Sequence, residues 1–195
     1  MIRITIICSI LLCAVINEAH SQRFIAKAVV GLNASQIDGD TLYGFNRPGL
    51  TLGGRLSYTN EKAWDVALEM LYSQRGSKLK FFGDRNVKGI QLNYLEIPVI
   101  FSLRDWYIES GKYYKVHAEG GISYGYLFKA EANGFNTDHF NTHDLSWLAG
   151  IGLNFTKKLG MKLRYTSSMV DLHQKEAELP KFKSYFLTLR AEITL

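Results

Sequence analysis

Residues 144–168, DLSWLAGIGLNFTKKLGMKLRYTSS, alternate between apolar and polar at every second position, reverse over TKKLG and alternate again. Leu145, Trp147, Ala149, Ile151, Leu153 and Phe155 share one parity, while Asp144, Ser146, Gly150, Gly152 and Asn154 share the other. A period of two marks a β-strand, because successive side chains leave opposite faces of the pleat. The pattern recurs in eight segments, at 24–36, 48–59, 63–75, 89–103, 112–127, 143–155, 160–170 and 183–195, and no stretch between them reads as a long amphipathic helix. Such segments are long for soluble strands. They suit tilted strands crossing a bilayer, which need about 9–11 residues in the hydrocarbon. The connections at 37–47, 76–88, 128–142 and 171–182 are long, and those at 60–62, 104–111 and 156–159 are short. Long loops on one side and short turns on the other, with an even strand count, predict an all-β fold: an eight-stranded antiparallel up-and-down transmembrane β-barrel of the OmpX and OmpA kind, with both chain ends on the periplasmic side.

The two parities differ in charge as well as hydrophobicity. The apolar faces, from Phe24, Ala26, Ala28, Val30 and Leu32 through to Tyr185, Leu187, Leu189, Ala191, Ile193 and Leu195, carry no charge. The opposite faces carry Lys27, Arg55, Asp65, Glu69, Arg75, Glu96, Lys115, His117, Glu119, Asp144, Lys162, Arg164, Arg190 and Glu192. With His117 set aside, these are seven cations against six anions. An eight-stranded barrel is only wide enough inside for packed side chains, so charges there must pair. A slip by one residue would turn the Lys and Arg side chains to lipid at roughly 2–4 kcal/mol each near the midplane. Charge therefore fixes the register, and these residues form an expected lumen charge network.

A soluble lipocalin-like barrel shares the alternation but points its apolar face inward. Against it, aromatics on the apolar parity gather near strand ends: Phe24, Tyr58, Trp64, Phe101, Tyr114 and Phe155 toward the short turns, and Tyr72, Tyr124, Tyr126, Trp147 and Tyr185 toward the long loops. Girdles at two heights suit the two membrane interfaces. The charged parity is also rich in glycine, where a crowded lumen needs room. Pro98 removes a ladder donor, so a local irregularity is expected there, with Tyr94 and Glu96 packed in the lumen.

The chain opens MIRITIICSILLCAVINEAHSQ, with Arg3, an apolar run from Ile4 to Ile16, and Ala19-His20-Ser21 as a small-x-small site. This reads as a cleaved signal peptide over 1–21 followed by one barrel domain over 22–195. Both cysteines, Cys8 and Cys13, lie in the leader, so the mature chain carries no disulfide or thiol chemistry; Leu12 stands where lipoprotein processing at Cys13 wants a small residue. The net charge of +5 is spread along the chain, which suits solvated turns rather than nucleic acid.

Phrases such as GLNAS (31–35), RPGLTLGG (47–54), EMLYSQRGS (69–77), LNYLEIPV (92–99), GGISYGYL (120–127) and DLSWLAGIGLNF (144–155) resemble the PorT-like outer-membrane β-barrel family, across essentially the whole mature chain. The resemblance implies an outer-membrane barrel and, as in the founding members, a part in a protein secretion system. The chain departs from the usual aromatic last residue, ending in Leu195.

Candidate chemistry is sparse. His117, Glu119 and Ser123 share one face of the fifth segment, where paired lumen side chains are the plainer reading than a hydrolytic site. Asp138, His139, His143 and Asp144 could hold zinc only if an open loop made them converge. Asp38-Gly39-Asp40 lacks the further acids of a calcium loop. No catalytic residue, metal or cofactor is expected. The long loops place Tyr43, Phe45, Phe81, Phe82, Phe135, Phe140 and Phe182 amid polar residues, either as partner contacts or as a packed cap. The expected protein is a monomeric, non-enzymatic barrel in the outer membrane of a diderm bacterium, embedded in lipid. It would act in envelope structure or by binding other envelope or secretion-system proteins through its loops, and a small-solute channel is the alternative.

Overall fold

The computed structural model describes residues 24–39, 44–59, 63–78, 89–133, 140–172 and 183–195. The leader and the loop residues Asp40, Tyr43, Phe81, Phe82, Phe135, Asp138, His139 and Phe182 lie outside the described residues. The strands are β1 (Phe24–Asp38), β2 (Arg47–Thr59), β3 (Trp64–Lys78), β4 (Gly89–Ile108), β5 (Tyr113–Asn133), β6 (His143–Asn154), β7 (Leu159–Ser168) and β8 (Lys183–Thr194). Each pairs antiparallel with its sequence neighbour, and β1 pairs with β8 from Lys27–Thr194 to Asp38–Lys183, which closes the sheet into a barrel. Closure removes every edge, so each strand's backbone groups find partners without water, the condition for crossing lipid with strands.

Which face points out follows from burial. Leu32 is 64% exposed and Ile151 64%, whereas Arg55 is 3% and Glu69 1% exposed. The turn after β6 is held by Thr156, whose Oγ1 accepts the backbone N–H of Lys158 at 3.2 Å and of Leu159 at 3.0 Å.

Strand β4 runs further at its turn end, and β5 at its loop end, than the alternation marks. At the loop end β5 continues to Asn133 and pairs with Gly89. The register shifts by one between Asn93 and Tyr94, which leaves Phe128 as the extra residue of a bulge. Beyond it the faces exchange: Lys129 and Glu131 are exposed, while Ala130 and Ala132 pack inward. The irregularity expected at Pro98 takes a different form. The β3–β4 pairing breaks off at Leu68–Val99 and resumes at Leu71–Glu96 in the same register, while Pro98 stays paired with Ser123 on the other side. Proline thus costs a ladder contact without displacing the strand, and the true bulge lies nearer the loops. Tyr94 and Glu96 are both buried.

At the turn end β4 and β5 project past their neighbours as a hairpin closed by Ile108–Tyr113, whereas β5 pairs with β6 only from Val116 onward. Trp106 in this hairpin has φ of 57°, left-handed backbone that a bulky residue rarely adopts, and its N–H is accepted by Asp105 Oδ1 at 2.7 Å.

Candidate functional site

The interior is layered along the barrel axis. Nearest the loops, Ile37, Ile90, Leu92, Tyr94, Phe140 and Leu172 form an apolar cluster, with Leu127, Ala130 and Ala132 against it. Phe140, one of the loop aromatics, is 7% exposed and belongs to this plug; Phe45 packs edge-on against Tyr185 at 5.5 Å. Phe140 thus caps the interior, whereas Phe45 joins the outer ring contacts.

The next layer holds a single guanidinium. Arg75 lies between the rings of Tyr94 and Phe186, at 4.6 and 4.5 Å from their centroids. Its Nε donates to Glu96 at 2.9 Å and its Nη1 to Asp144 at 2.6 Å. A cation taken this far from water needs both its anions and the ring faces.

Beneath it Asn33 ties four strands together. Its Nδ2 donates to Ser73 Oγ and to the Gln74 carbonyl, and its Oδ1 accepts from Thr51 and Thr188 at 2.8 Å each. Every hydrogen-bonding position of the amide is satisfied, as a buried amide requires.

The middle of the barrel is ionic. Glu69 of β3 accepts a fork of two bonds from Arg190 of β8 at 2.8 and 2.9 Å, two from Arg164 at 2.8 and 3.1 Å and one from Arg55 at 3.1 Å. Glu119 of β5 accepts from Arg55 at 2.9 Å, Lys162 at 2.8 Å and Arg164 at 2.6 Å. Glu192 takes Arg190 at 2.6 Å, Lys162 at 3.2 Å and Lys27 at 3.3 Å. Ions from β2, β3, β5, β7 and β8 therefore meet across the bore. Neighbouring glycines make the room: a Cβ at Gly31 would stand 2.7 Å from Arg190 Cβ, and one at Gly152 2.5 Å from Lys162 Cγ. A residual void of about 10 Å³ beside Arg164, Phe186 and Arg190 has space for about one water.

The turn end, in contrast, opens into a cavity of about 380 Å³. On its wall Asp65 binds Arg55 at 3.1 Å and Arg104 at 3.6 Å. Arg104 also donates to the Trp64 carbonyl and lies over the Tyr114 ring at 4.9 Å. Reading 104 as turn missed this residue; its parity with Glu96, Ile100 and Ser102 is the signal that would have found it. Lys115 behaves oppositely. It stands beyond the first β5–β6 pair, its Nζ is 4.5 Å from the exposed Trp106 ring, and no ion pair joins it to a described residue. The left-handed turn at Trp106 brings that ring under Lys115, so Arg104 occupies the place in the interior balance assigned above to Lys115.

Of the remaining candidates, His117 meets Asn154 Nδ2 through Nε2 at 2.5 Å, Glu119 is engaged by its cations, and the Ser123 hydroxyl has no described partner. The three do not converge. His143 and Asp144 part company too: His143 faces outward against Tyr124 and Tyr126, bonded to the Tyr124 hydroxyl at 2.6 Å, while Asp144 faces Arg75. Outside the hydrocarbon, exposed Lys129 and Glu131 pair at 2.6 Å, and the hydrogen bond from Lys129 holds the Glu131 carboxyl below its ordinary value.

The strand-end aromatics form two belts. Toward the turns, Phe24 meets Tyr58 at 5.3 Å, Trp64 stacks on Phe101 at 6.1 Å, Tyr107 meets Tyr114 at 5.1 Å, and the Phe155 carbonyl accepts from Tyr113. Toward the loops, Tyr72 meets Phe128 at 5.9 Å and Trp147, Tyr165 and Tyr185 form a chain.

The family model of the outer membrane protein beta-barrel domain matches residues 20–174. The chain belongs to this family. Its closed cylinder is accordingly a transmembrane barrel of the outer membrane, and the apolar wall faces lipid. Two solved structures share the fold: Ail, the attachment invasion locus protein of Yersinia pestis, at 15% identity and TM-score 0.51 over 88% of this chain and 99% of that one, and Neisserial surface protein A, at 12% identity and TM-score 0.54 over 89% and 98%. Among curated proteins no sequence relative was found. At these identities the likeness speaks for the fold alone.

Proposed function

We propose that the protein is a non-enzymatic, non-conducting monomeric barrel, exported through a leader over 1–21 and inserted as a 22–195 domain. Its work is done at its surfaces, in partner binding or envelope structure. The observation that carries this reading is the ionic plug: Glu69 and Glu119, each buried, hold Arg55, Arg164 and Arg190 across the bore. A solute would have to break several buried ion pairs at once to pass, at several kcal/mol for each. Membership of a protein secretion assembly rests on the PorT-like resemblance, and crosslinking of the loops in intact cells would identify the partner. The turn-side cavity favours the channel alternative, since it takes solute part of the way in. Reconstitution in a planar bilayer decides between them: the plug predicts a silent membrane, and steady large conductance steps would overturn it.

A further inference from the structure

The turn-side cavity has a composition that closing the barrel does not explain. Its volume of about 380 Å³ falls in the range of small-molecule sites. Among the described residues its wall presents the cations Lys27, Arg55, Arg104, Lys112, Lys157 and Lys162, and one carboxylate, Asp65. The inner cations all have carboxylate partners: Lys27 in Glu192, Lys162 in Glu192 and Glu119, Arg55 in Asp65 and the two central glutamates, and Arg104 in Asp65. The outer two do not. Lys112 comes from the β4–β5 turn and Lys157 from the β6–β7 turn, both are exposed, and no described carboxylate pairs with either ammonium group.

Two uncompensated positive charges from separate turns thus face one mouth with a low-dielectric wall behind it, an arrangement that focuses the field and concentrates anions. Two such cations at one mouth suit an anion that carries two charges. Tyr107, Tyr113 and Tyr114 line the same space. Behind the cavity the ionic plug closes the bore, so a ligand that enters from the periplasmic side can only leave the same way. We propose that this cavity is a binding site for a phosphate dianion, taken either as free phosphate or as the head of a phosphomonoester.

The test uses the refolded mature chain in detergent micelles at constant ionic strength, with inorganic phosphate and glucose 1-phosphate as probes, followed by calorimetry. Saturable binding is expected for at least one probe, with sulfate competing and glucose not. If the two bind alike, the source is free phosphate; tighter binding of the sugar phosphate assigns an ester. The double variant Lys112→Gln, Lys157→Gln removes only rim charges and should weaken binding about tenfold while its folded gel mobility stays unchanged. Lys115→Gln removes one charge from the same end but away from the cavity wall, and should leave binding unaltered. Absence of saturable binding, or equal losses in the two variants, overturns the proposal, and neither result bears on whether the barrel conducts.

Discussion

The two halves of the barrel interior solve one packing problem by different physics. On the loop side of Asn33 the inward face is filled by Ile37, Ile90, Leu92, Tyr94 and Phe140, with Arg75 clamped between rings. On the turn side it is filled by ions, and then not filled at all where the cavity opens. Apolar packing is additive and local, because each side chain contributes in proportion to the area it hides and the cavity its loss would leave. Ionic packing is conditional. A guanidinium in the bore is tolerable only while its carboxylate is there, so the stability of one residue belongs to its partners. The loop half is thus a lid that can be worn down, and the turn half a lock.

Removing one carboxylate should show the larger effect. Glu69→Ala removes one of the two carboxylates that Arg55, Arg164 and Arg190 share, leaving three guanidinium groups crowded on Glu119 with Glu192 to help Arg190. About 3–5 kcal/mol is expected from breaking a buried pair on one side, a large part of a domain's whole stability of about 5–15 kcal/mol. Urea titration in micelles, read by the gel shift between folded and unfolded barrel, should show the midpoint collapse or folding fail. Glu69→Gln, which keeps the shape and part of the hydrogen bonding, should fall between. An Ala variant no worse than a core truncation would break the contrast.

The matching truncation on the other side is Leu92→Ala, at a residue with no exposure. A buried Leu→Ala change costs about 2–5 kcal/mol depending on how far the site collapses, and here the lower part of that range is expected because the neighbours Leu127, Ala130 and Ala132 are only partly buried and can settle inward. The distinguishing measurement is where the damage spreads. Hydrogen exchange should quicken in the loop-side ends of β4 and β5 and leave β7 and the turn-side half of β8 protected. Exchange rising evenly around the barrel would mean that the halves are one cooperative unit.

Much of this was legible in the alternation, since a period of two, a charge-free parity and loop lengths are local properties of the chain. Four things were not. Ile90 and Leu92 lie on the inward parity, and equating inward with charged hid the apolar plug. The bulge at Asn93–Tyr94 exchanges faces through a non-local register shift, which no single strand's pattern records. The contact that takes Lys115 to the Trp106 ring goes with the left-handed backbone at Trp106. Ion-pair membership was readable because burying a charge leaves few options, whereas the cavity was not, since it comes from where four turn-side segments happen to stop.

The smallest effect expected belongs to that same angle, and it tests whether the turn end, where the left-handed non-glycine residues among those described lie, is held open by strained backbone. Trp106→Ala deletes the ring and its contact with Lys115 but keeps a Cβ in the left-handed conformation; Trp106→Gly deletes both. The ring's loss is common to the two, so their difference isolates the backbone. A left-handed L-residue costs roughly 1–2 kcal/mol, and glycine in turn gives up more freedom on folding, about 0.5–1 kcal/mol. The Gly variant should therefore be the more stable of the pair by about 1 kcal/mol or a little less, a shift visible in the urea midpoint. If Ala is the better residue, Trp106 relaxes to ordinary strand geometry, Lys115 loses its ring, and the cavity mouth must close around a different set of turn residues.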